Sequence, residues 1–247
     1  MAVDLNIEGA VARISLNSPE NRNALSRLLL SELMAAFDEA EANPEVRAIL
    51  IDSAIGVFCS GADLKEALAG ESSAMVLVDL QRRIAALPKP VVVKVAGPVR
   101  AGGLGILGAA DLVFAAESVT FSLTEVRLGL APAVISLSLK ERMLPRAVSD
   151  AFLTGRVFSA DEAEEMGLIT AEVNDDELDA AVAKILAELV KGTLQGLAES
   201  KALANVELLA RIDAEGAALA ELSERLFSSE EAIAAMTKFF TRPKSDN

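Results

Sequence analysis

The stretch VVVKVAGPVRAGGLGILGAADLVFA, residues 91–115, contains two apolar runs separated by a glycine-rich segment. Val91–Val95 and Leu112–Ala115 are short and predominantly apolar, which is typical of buried strands. The small-residue run Gly103–Ala110 between them is predicted to be a helix. A strand, a helix and a second strand in this order form a βαβ unit, whose two strands lie parallel.

The same order of strand and helix recurs on the amino-terminal side of this stretch. Val3–Ile7 and Val11–Leu16 alternate apolar and polar residues around Glu8-Gly9, which predicts a hairpin. A helix, a strand and a second helix are then predicted at Leu28–Ala42 (with Ser26 as N-cap), Val46–Ile51 and Val76–Leu87. The repetition favours an α/β fold with a largely parallel sheet.

Strand signals nearly vanish after about residue 140, where apolar residues recur at helical spacing. Helices are predicted at Ala160–Met166, Asp176–Lys191, Thr193–Leu209, Asp213–Phe227 and Glu230–Phe240. Their wide leucine and alanine faces would leave apolar surface exposed on a monomer, so we expect an oligomer. The chain is accordingly divided into a core over residues 1–190 and a helical region over residues 191–247.

Composition restricts the class of partner. The 247 residues include 23 Lys and Arg against 37 Asp and Glu, a formal charge of −14, which argues against nucleic-acid binding. No apolar run reaches the roughly 18 residues that a membrane span needs. The start Met1–Asp4 has no basic or long apolar segment, and the single Cys59 suits a reducing compartment. We therefore expect a cytoplasmic protein without a nucleic-acid or membrane partner.

The sequence contains no histidine. This absence eliminates Ser-His-Asp and Cys-His catalysis, and together with a single cysteine it disfavours a zinc site. No metal site is predicted. Proton transfer must then fall to carboxylates, lysines or water.

Two loops are candidates for chemistry, because each follows a predicted strand and contains small residues. Ser60-Gly61-Ala62-Asp63 and Gly102-Gly103 would let a ligand approach backbone amides closely. Taken alone, the first segment is more simply an ordinary turn, and the glycine pair fits close packing of a helix on a sheet as well as it fits a ligand site. Neither matches a phosphate-binding loop or a dinucleotide-binding pattern.

The order and spacing of nine segments are similar to those of one family. These segments are Asn23–Leu25, Phe58–Lys65, Lys89-Pro90, Gly97–Gly103, Asp111–Val113, Phe121–Gly129, Leu153–Gly155, Ala160–Leu168 and Ala235–Lys244. Together they cover almost the whole chain, and with them the sequence resembles the crotonase, or enoyl-CoA hydratase/isomerase, superfamily. The resemblance implies a crotonase-like spiral of ββα units followed by a C-terminal helical trimerisation region. It also implies a homotrimer or a dimer of trimers.

The resemblance further implies an acyl-CoA substrate and no separate cofactor, since coenzyme A is part of the substrate. By position, the amides of Ala62 and Gly102 would donate to the thioester oxygen. Family members hold the coenzyme along segments that match Asn21–Ala24 and Ser60–Leu64. Coenzyme-binding residues are therefore expected at Arg22, Ala24, Ser60, Asp63 and Leu64. Arg242 or Lys244 would reach the phosphates of a neighbouring subunit, or would simply be solvated.

Typical hydratases of this family use two glutamates, and this sequence matches only one of them. The second corresponds to Glu125, whereas the position of the first is occupied by Gly105. By residue type alone, Glu125 would form a surface ion pair with Arg127 or Lys140. The resemblance instead favours a catalytic base in an apolar pocket that raises its pKa.

One carboxylate beside an oxyanion hole serves more than one reaction. Enoyl-CoA hydration ranks first by a small margin, ahead of isomerisation of a 3-enoyl to a 2-enoyl thioester. A catalytically silent acyl-CoA-binding subunit and a purely structural oligomer are the remaining alternatives. Arg100 stands where many relatives have an apolar residue, and it is expected to face solvent, a subunit contact or an anionic acyl tail.

Overall fold

The computed structural model describes residues 1–71 and 73–241. Within these residues the strands are β1 (Val3–Glu8), β2 (Val11–Leu16), β3 (Ala48–Ser53), β4 (Val91–Val95), β5 (Val99–Arg100), β6 (Leu112–Ala116), β7 (Thr120–Ser122), β8 (Val157–Ser159) and β9 (Ala171–Val173). The helices are α1 (Arg27–Ala42), α2 (Leu64–Leu68), α3 (Ala74–Ala86), α4 (Gly103–Ala109), α5 (Ser136–Arg142), α6 (Pro145–Thr154), α7 (Ala160–Glu165), α8 (Leu178–Leu189), α9 (Leu194–Ala204), α10 (Val206–Phe227) and α11 (Glu230–Thr241). The α/β class predicted from the sequence is confirmed.

The larger sheet has the strand order β1-β2-β3-β4-β6-β9. Its β1–β2 hairpin is antiparallel, as the alternating pattern predicts, and Gly9 supplies the left-handed turn conformation with φ 57°. Every other pairing in this sheet is parallel. A second sheet with the order β5-β7-β8 lies beside it. The loops that follow β3 and β4 therefore leave the large sheet at the same edge, since parallel strands share a direction.

Local signals set the elements around these loops. The Ser26 hydroxyl caps α1 by accepting a hydrogen bond from the amide of Leu29 at 3.3 Å, as predicted. The helix α3 ends at Ala86 before Pro88, which cannot continue a helix. The strand β4 is almost entirely apolar and buried, because it lies between two parallel neighbours.

The division between the last helices differs from the prediction. Helices were expected at Thr193–Leu209 and Asp213–Phe227, but the break falls at Asn205 and α10 runs uninterrupted to Phe227. The Asn205 side chain is buried, and its Nδ2 donates to the carbonyl of Ala85 at 3.2 Å and to Asp111 Oδ1 at 3.0 Å. These bonds to the core set the break, and no local pattern of α9 or α10 carries that information.

The prediction that strands nearly vanish after residue 140 misses β8 and β9. Each is three residues long, too short for a periodic pattern to be recognised. Both exist because neighbouring strands offer free edges: β8 pairs with β7, and β9 pairs with β6.

The C-terminal helices pack onto the core. Leu208, Ile212 and Ala220 of α10 contact Val78 of α3 and Leu137 of α5. The helix α11 places Ala232 and Met236 against Leu130 and α2. Among residues 1–71 and 73–241, no helix is both long and apolar enough to cross a membrane.

Candidate active site

A cavity of about 770 Å³ opens where the loops after β3 and β4 meet the segment Thr124–Ile135. All eight residues assigned to the site from the sequence line it: Arg22, Ala24, Ser60, Ala62, Asp63, Leu64, Gly102 and Glu125. The segment Leu128–Ile135 and the end of α10, with Ser223 and Phe227, complete the wall. The sequence carries no signal for Ser223 and Phe227, because a distant helix brings them to the cavity.

The first loop runs beside the turn that precedes α1. The amide of Leu25 donates to the carbonyl of Gly61 at 2.8 Å, and the amide of Ser60 donates to the carbonyl of Arg22 at 3.2 Å. The Ser60 hydroxyl adds a bond of 3.0 Å to the carbonyl of Asn21. Two segments that are about forty residues apart in sequence therefore form one side of the cavity.

The two candidate loops touch each other, and glycine permits the contact. A Cβ at Gly61, where φ is 100°, would lie 2.9 Å from Cβ of Ala101. A Cβ at Gly103 would lie 2.7 Å from Cβ of Cys59. The amide of Arg100 also donates to the carbonyl of Cys59 at 2.9 Å. Close approach of the loops thus requires these two glycines.

The amides of Ala62 and Gly102 are available to a ligand. Both residues line the cavity, and neither amide donates to an acceptor within the described part of the chain. Ala101 precedes Gly102 in the left-handed conformation, with φ 47°, and its own amide donates to the carbonyl of Ser122 at 2.9 Å. That bond fixes the turn from which the Gly102 amide extends.

Glu125 lies in the 3-10 turn Thr124–Leu128 at the cavity wall. Its Oε2 atom is buried and has no hydrogen-bond partner among the described residues. Burial raises the pKa of the Glu125 carboxyl to about 7, against a smaller lowering by its own backbone N–H. The alternative of a surface ion pair with Arg127 or Lys140 does not hold, because no such pair forms.

Gly105, which is buried in α4 where the resemblance would place a second glutamate, leaves no room for an acid. A Cβ there would lie 2.7 Å from Cγ2 of Ile135 and 3.5 Å from Cδ of Gln81. Gln81 is fully buried and donates from Nε2 to the carbonyl of Val134 at 3.2 Å, while the Ser138 hydroxyl donates to its Oε1 at 2.7 Å. Gly105 thus packs against Ile135 of the cavity wall, and the buried Gln81 holds the adjoining backbone at Val134.

Asp63 lines the cavity, but its carboxylate is already engaged. Oδ1 accepts from the amides of Lys65 at 3.0 Å and Glu66 at 3.3 Å, which caps α2. Oδ2 accepts from Nδ2 of Asn21 at 3.2 Å. Asp63 therefore orders its own loop through both carboxylate oxygens.

The residues expected to contact the coenzyme line the cavity. Arg22 is exposed there and adopts the left-handed conformation with φ 59°. The buried Asn23 holds this turn, donating from Nδ2 to Ser53 Oγ at 2.9 Å and to the carbonyl of Val57 at 3.1 Å. Arg242 and Lys244 lie outside the described residues.

No group of three or more His, Cys, Asp or Glu side chains is arranged to hold a metal ion in the ranges 1–71 and 73–241. Cys59 is fully buried, and burial raises the pKa of its thiol to about 12. A buried thiol with so high a pKa is not a nucleophile at neutral pH. Among the described residues that line the cavity, Glu125 thus combines a buried, unpartnered oxygen with a pKa of about 7.

Comparison with known proteins gives consistent matches. The model of the enoyl-CoA hydratase/isomerase family matches residues 6–246. The enoyl-CoA hydratase EchA19 of Mycobacterium tuberculosis is 34% identical over 173 residues, which cover 66% of this chain and 65% of that protein. The mitochondrial enoyl-CoA hydratase domain-containing protein 3 of Danio rerio is 31% identical over 244 residues, covering 92% of this chain and 82% of that protein. A crystal structure of an enoyl-CoA hydratase from Mycobacterium avium is similar with a TM-score of 0.89 at 42% identity, over 97% of this chain and 96% of that chain.

Proposed function

The chain belongs to the enoyl-CoA hydratase/isomerase family, and on this premise we propose that it hydrates a 2-enoyl-CoA thioester with Glu125 as its single acid–base group. One observation carries the proposal. A buried carboxyl with an unpartnered oxygen shares a cavity with two amides that have no protein acceptor. The hydratase names of similar proteins support hydration as the proposed reaction.

The amides of Ala62 and Gly102 form the oxyanion hole in this proposal. The thioester carbonyl oxygen accepts from both, and these bonds strengthen as negative charge develops on that oxygen. The loops are held in contact at Gly61 and Gly103, so the donors are positioned before the substrate arrives. Removing one such donor costs roughly 3 kcal/mol of transition-state stabilisation in other enzymes.

Glu125 carries out both proton transfers, first from water and then to C2. Its carboxylate removes a proton from water while the water oxygen bonds to C3 of the enoyl group. The π electrons of the C2–C3 double bond move toward the carbonyl and form an enolate. The protonated Glu125 then returns its proton to C2, and one water has been added across the double bond. A pKa of about 7 makes both forms of Glu125 accessible at neutral pH.

The coenzyme A part of the substrate lies along Asn21–Ala24 and Ser60–Leu64 in this proposal. Arg22, Ala24, Ser60, Asp63 and Leu64 line that side of the cavity. Exposed Arg22 is placed to meet the negatively charged nucleotide end. No further cofactor takes part in the steps above.

Isomerisation of a 3-enoyl-CoA is the second candidate, and the packing at Gly105 favours it. Ile135 fills the space in which a second carboxylate would hold water. Glu125 would then remove a proton from C2 and return it to C4, which moves the double bond into conjugation with the carbonyl. The oxyanion hole would stabilise the dienolate between the two transfers.

The test is turnover of crotonyl-CoA and, separately, of a 3-enoyl-CoA. Glu125→Gln is expected to lower kcat about 10²- to 10⁴-fold, because it removes the proton carrier and keeps the side-chain shape. Glu117→Gln, at an exposed acid away from the cavity, is the matched control. In the wild-type protein kcat/KM is expected to rise with pH through about 7, since the carboxylate is the active form.

The outcomes separate the alternatives. Turnover that Glu125→Gln does not change would remove Glu125 from the mechanism. Conversion of the 3-enoyl substrate without addition of water would select the isomerase. Calorimetric binding of an acyl-CoA with no turnover of either substrate would select the silent binding subunit.

We also propose that the protein assembles as a trimer or a dimer of trimers and works in the cytoplasm. Exposed Leu144, Leu153 and Val157 support assembly, since large apolar side chains on one chain are covered by contact with another. The single buried Cys59 fits a reducing compartment. Light scattering coupled to size-exclusion chromatography tests the assembly, and a monomeric mass would contradict it.

A further inference from the structure

Arg100 is a half-buried cation on the wall of the cavity, two residues before Gly102. Its guanidinium is held along one edge by its own strand and by β7. Nη1 donates to the carbonyls of Val99 at 3.0 Å and Thr120 at 2.5 Å, and Nη2 donates to Thr120 Oγ1 at 2.9 Å. These bonds fix the plane and the direction of the group.

The other edge of the guanidinium has no partner among the described residues. Nε donates to no protein atom, and Nη2 makes a single bond. No carboxylate pairs with Arg100, whereas the similarly half-buried Arg156 pairs with both Asp150 and Glu162. Nε and Nη2 form the side edge of an arginine, which matches two oxygens of one anion.

The electrostatic surroundings of Arg100 also lack a counter-charge. Burial lowers the pKa of its guanidinium, and the positive charge of Arg22 lowers it further. The group nevertheless stays protonated, as arginine does in proteins. Of the acids that line the cavity, Asp63 is engaged by amides, Glu20 accepts from Ser18 at 2.6 Å, and Glu125 forms no ion pair and has its pKa raised to about 7 by burial. A chain with a net charge of −14 thus places an unpaired cation beside its oxyanion donors.

We propose that Arg100 binds an anionic group of the substrate, so that the preferred substrate is an unsaturated acyl-CoA whose acyl part carries a carboxylate. The inference rests on the proposed function and names the substrate class for the same site. Two oxygens of the carboxylate accept from Nε and Nη2 of Arg100. The thioester oxygen occupies the neighbouring donors of Ala62 and Gly102.

A phosphate of coenzyme A offers the same chemistry to a guanidinium. The position of Arg100 next to the oxyanion donors favours the acyl end of the substrate, while Arg22 lies on the expected coenzyme side. The experiment therefore uses thioesters with and without the nucleotide. Glutaconyl and crotonyl thioesters, which differ by a carboxylate, are each prepared on coenzyme A and on pantetheine.

The measured quantity is the ratio of kcat/KM for the glutaconyl thioester to that for the crotonyl thioester. Arg100→Met is expected to lower this ratio roughly 10- to 100-fold on both carriers, as loss of a charge-assisted hydrogen-bond pair does. Arg100→Lys is expected to restore part of the ratio, because it keeps the charge and loses the paired donors. Arg146→Met, at an exposed arginine outside the cavity, is the control.

Two results overturn the proposal. An unchanged ratio in Arg100→Met excludes recognition of a carboxylate. A loss that is equal for both acyl groups on coenzyme A and disappears on pantetheine assigns Arg100 to a phosphate instead.

Calorimetry with the saturated thioesters glutaryl-CoA and butyryl-CoA reads the same preference without turnover. A protein that turns over neither enoyl substrate, yet binds glutaryl-CoA more tightly in an Arg100-dependent way, would refute the proposed reaction and support the role of Arg100. Turnover of the enoyl substrates without a preference for the carboxylate-bearing thioester, in either kinetics or calorimetry, would support the proposed reaction and refute the role of Arg100. Binding of butyryl-CoA by Arg100→Met also reports that the variant is folded.

Discussion

Two regions of the molecule that contain buried charged groups differ in how these groups are partnered. At the junction between the core and the C-terminal helices, Lys201 pairs with Asp111 Oδ2 at 2.7 Å and donates to the carbonyls of Ile84 at 2.8 Å and Lys89 at 3.1 Å. Asn205 donates to the other oxygen of Asp111 at 3.0 Å and accepts from Arg142 at 2.8 Å. Both oxygens of the partly buried acid and the buried ammonium therefore have partners.

At the cavity the opposite holds. Glu125 buries an oxygen that has no partner among the described residues, and the amides of Ala62 and Gly102 also lack acceptors. A folded chain tolerates such groups only at a cost, because each has lost its hydrogen bonds to water. Buried charges that are fully partnered hold helices in place, whereas unpartnered groups that converge on one cavity indicate where a ligand binds.

Breaking the junction is expected to give the largest loss of stability. Lys201→Met would leave the Asp111 carboxylate buried without its cation, which costs about 3–5 kcal/mol of unfolding free energy. Denaturant unfolding measures the loss. The double variant Lys201→Met with Asp111→Asn should recover part of it, since the uncompensated charge is gone. A loss below about 1 kcal/mol in the single variant would contradict the structural role given to this pair.

The pH dependence of the unfolding free energy tests the unpartnered Glu125 at the cavity. The folded-state pKa of Glu125 is raised from 4.5 to about 7, so its contribution is fully present below about pH 4.5 and is lost as pH rises through 7. The loss amounts to at most about 3 kcal/mol. Glu125→Gln cannot titrate, so its stability relative to the wild type should improve between pH 4.5 and 8. Thermal unfolding at several pH values measures this difference, and a constant difference would refute the raised pKa.

The packing at Gly105 predicts a smaller change. Gly105→Ala places a Cβ 2.7 Å from Cγ2 of Ile135, and overpacking of this kind costs about 1–3 kcal/mol. The gain in helix propensity, about 1 kcal/mol, offsets part of that cost. We therefore expect a net loss of roughly 1 kcal/mol in denaturant unfolding, relieved when Ile135→Val is added. A Gly105→Ala variant more stable than the wild type would show that the Ile135 side chain moves aside at little cost.

Asp63 sharpens the comparison, because it lies on the cavity wall but has partners for both oxygens. Asp63→Ala removes the N-cap of α2 and is expected to cost about 1 kcal/mol of unfolding free energy. Asp63→Asn keeps an accepting oxygen and should lose less. The reduction of kcat in Asp63→Ala should be far smaller than that in Glu125→Gln. A comparable reduction would mean that hydrogen-bond partners do not separate structural from chemical acids in this protein.

Much of the fold was predictable because its signals are local. The hairpin β1–β2, the N-cap Ser26 and the strand β4 follow from alternation, hydroxyl capping and an apolar run. The helix break at Asn205 was not predictable, since its cause lies in bonds to Ala85 and Asp111 far away in sequence. The short strands β8 and β9 likewise depend on neighbours that only the folded sheet supplies.

The candidate site divides in the same way. Two loops of small residues and the acid Glu125 were recognisable, and the structure brings all of them to one cavity. Gln81 was missed, because a buried amide carries no sequence pattern of its own. The direction of Arg100 was left open for the same reason, since Thr120 fixes it from another strand.

The sequence by itself restricted the available chemistry: without histidine, proton transfer is left to carboxylates, lysines or water, and glycines at the two loops let backbone amides come together. The tertiary structure decided how that chemistry is tuned. The pKa of Glu125 depends on desolvation by a wall drawn from several distant segments, and the contact between Gly105 and Ile135 closes the place of a second acid. Desolvation and steric exclusion are properties of the packed volume, so no local stretch of the chain contains them.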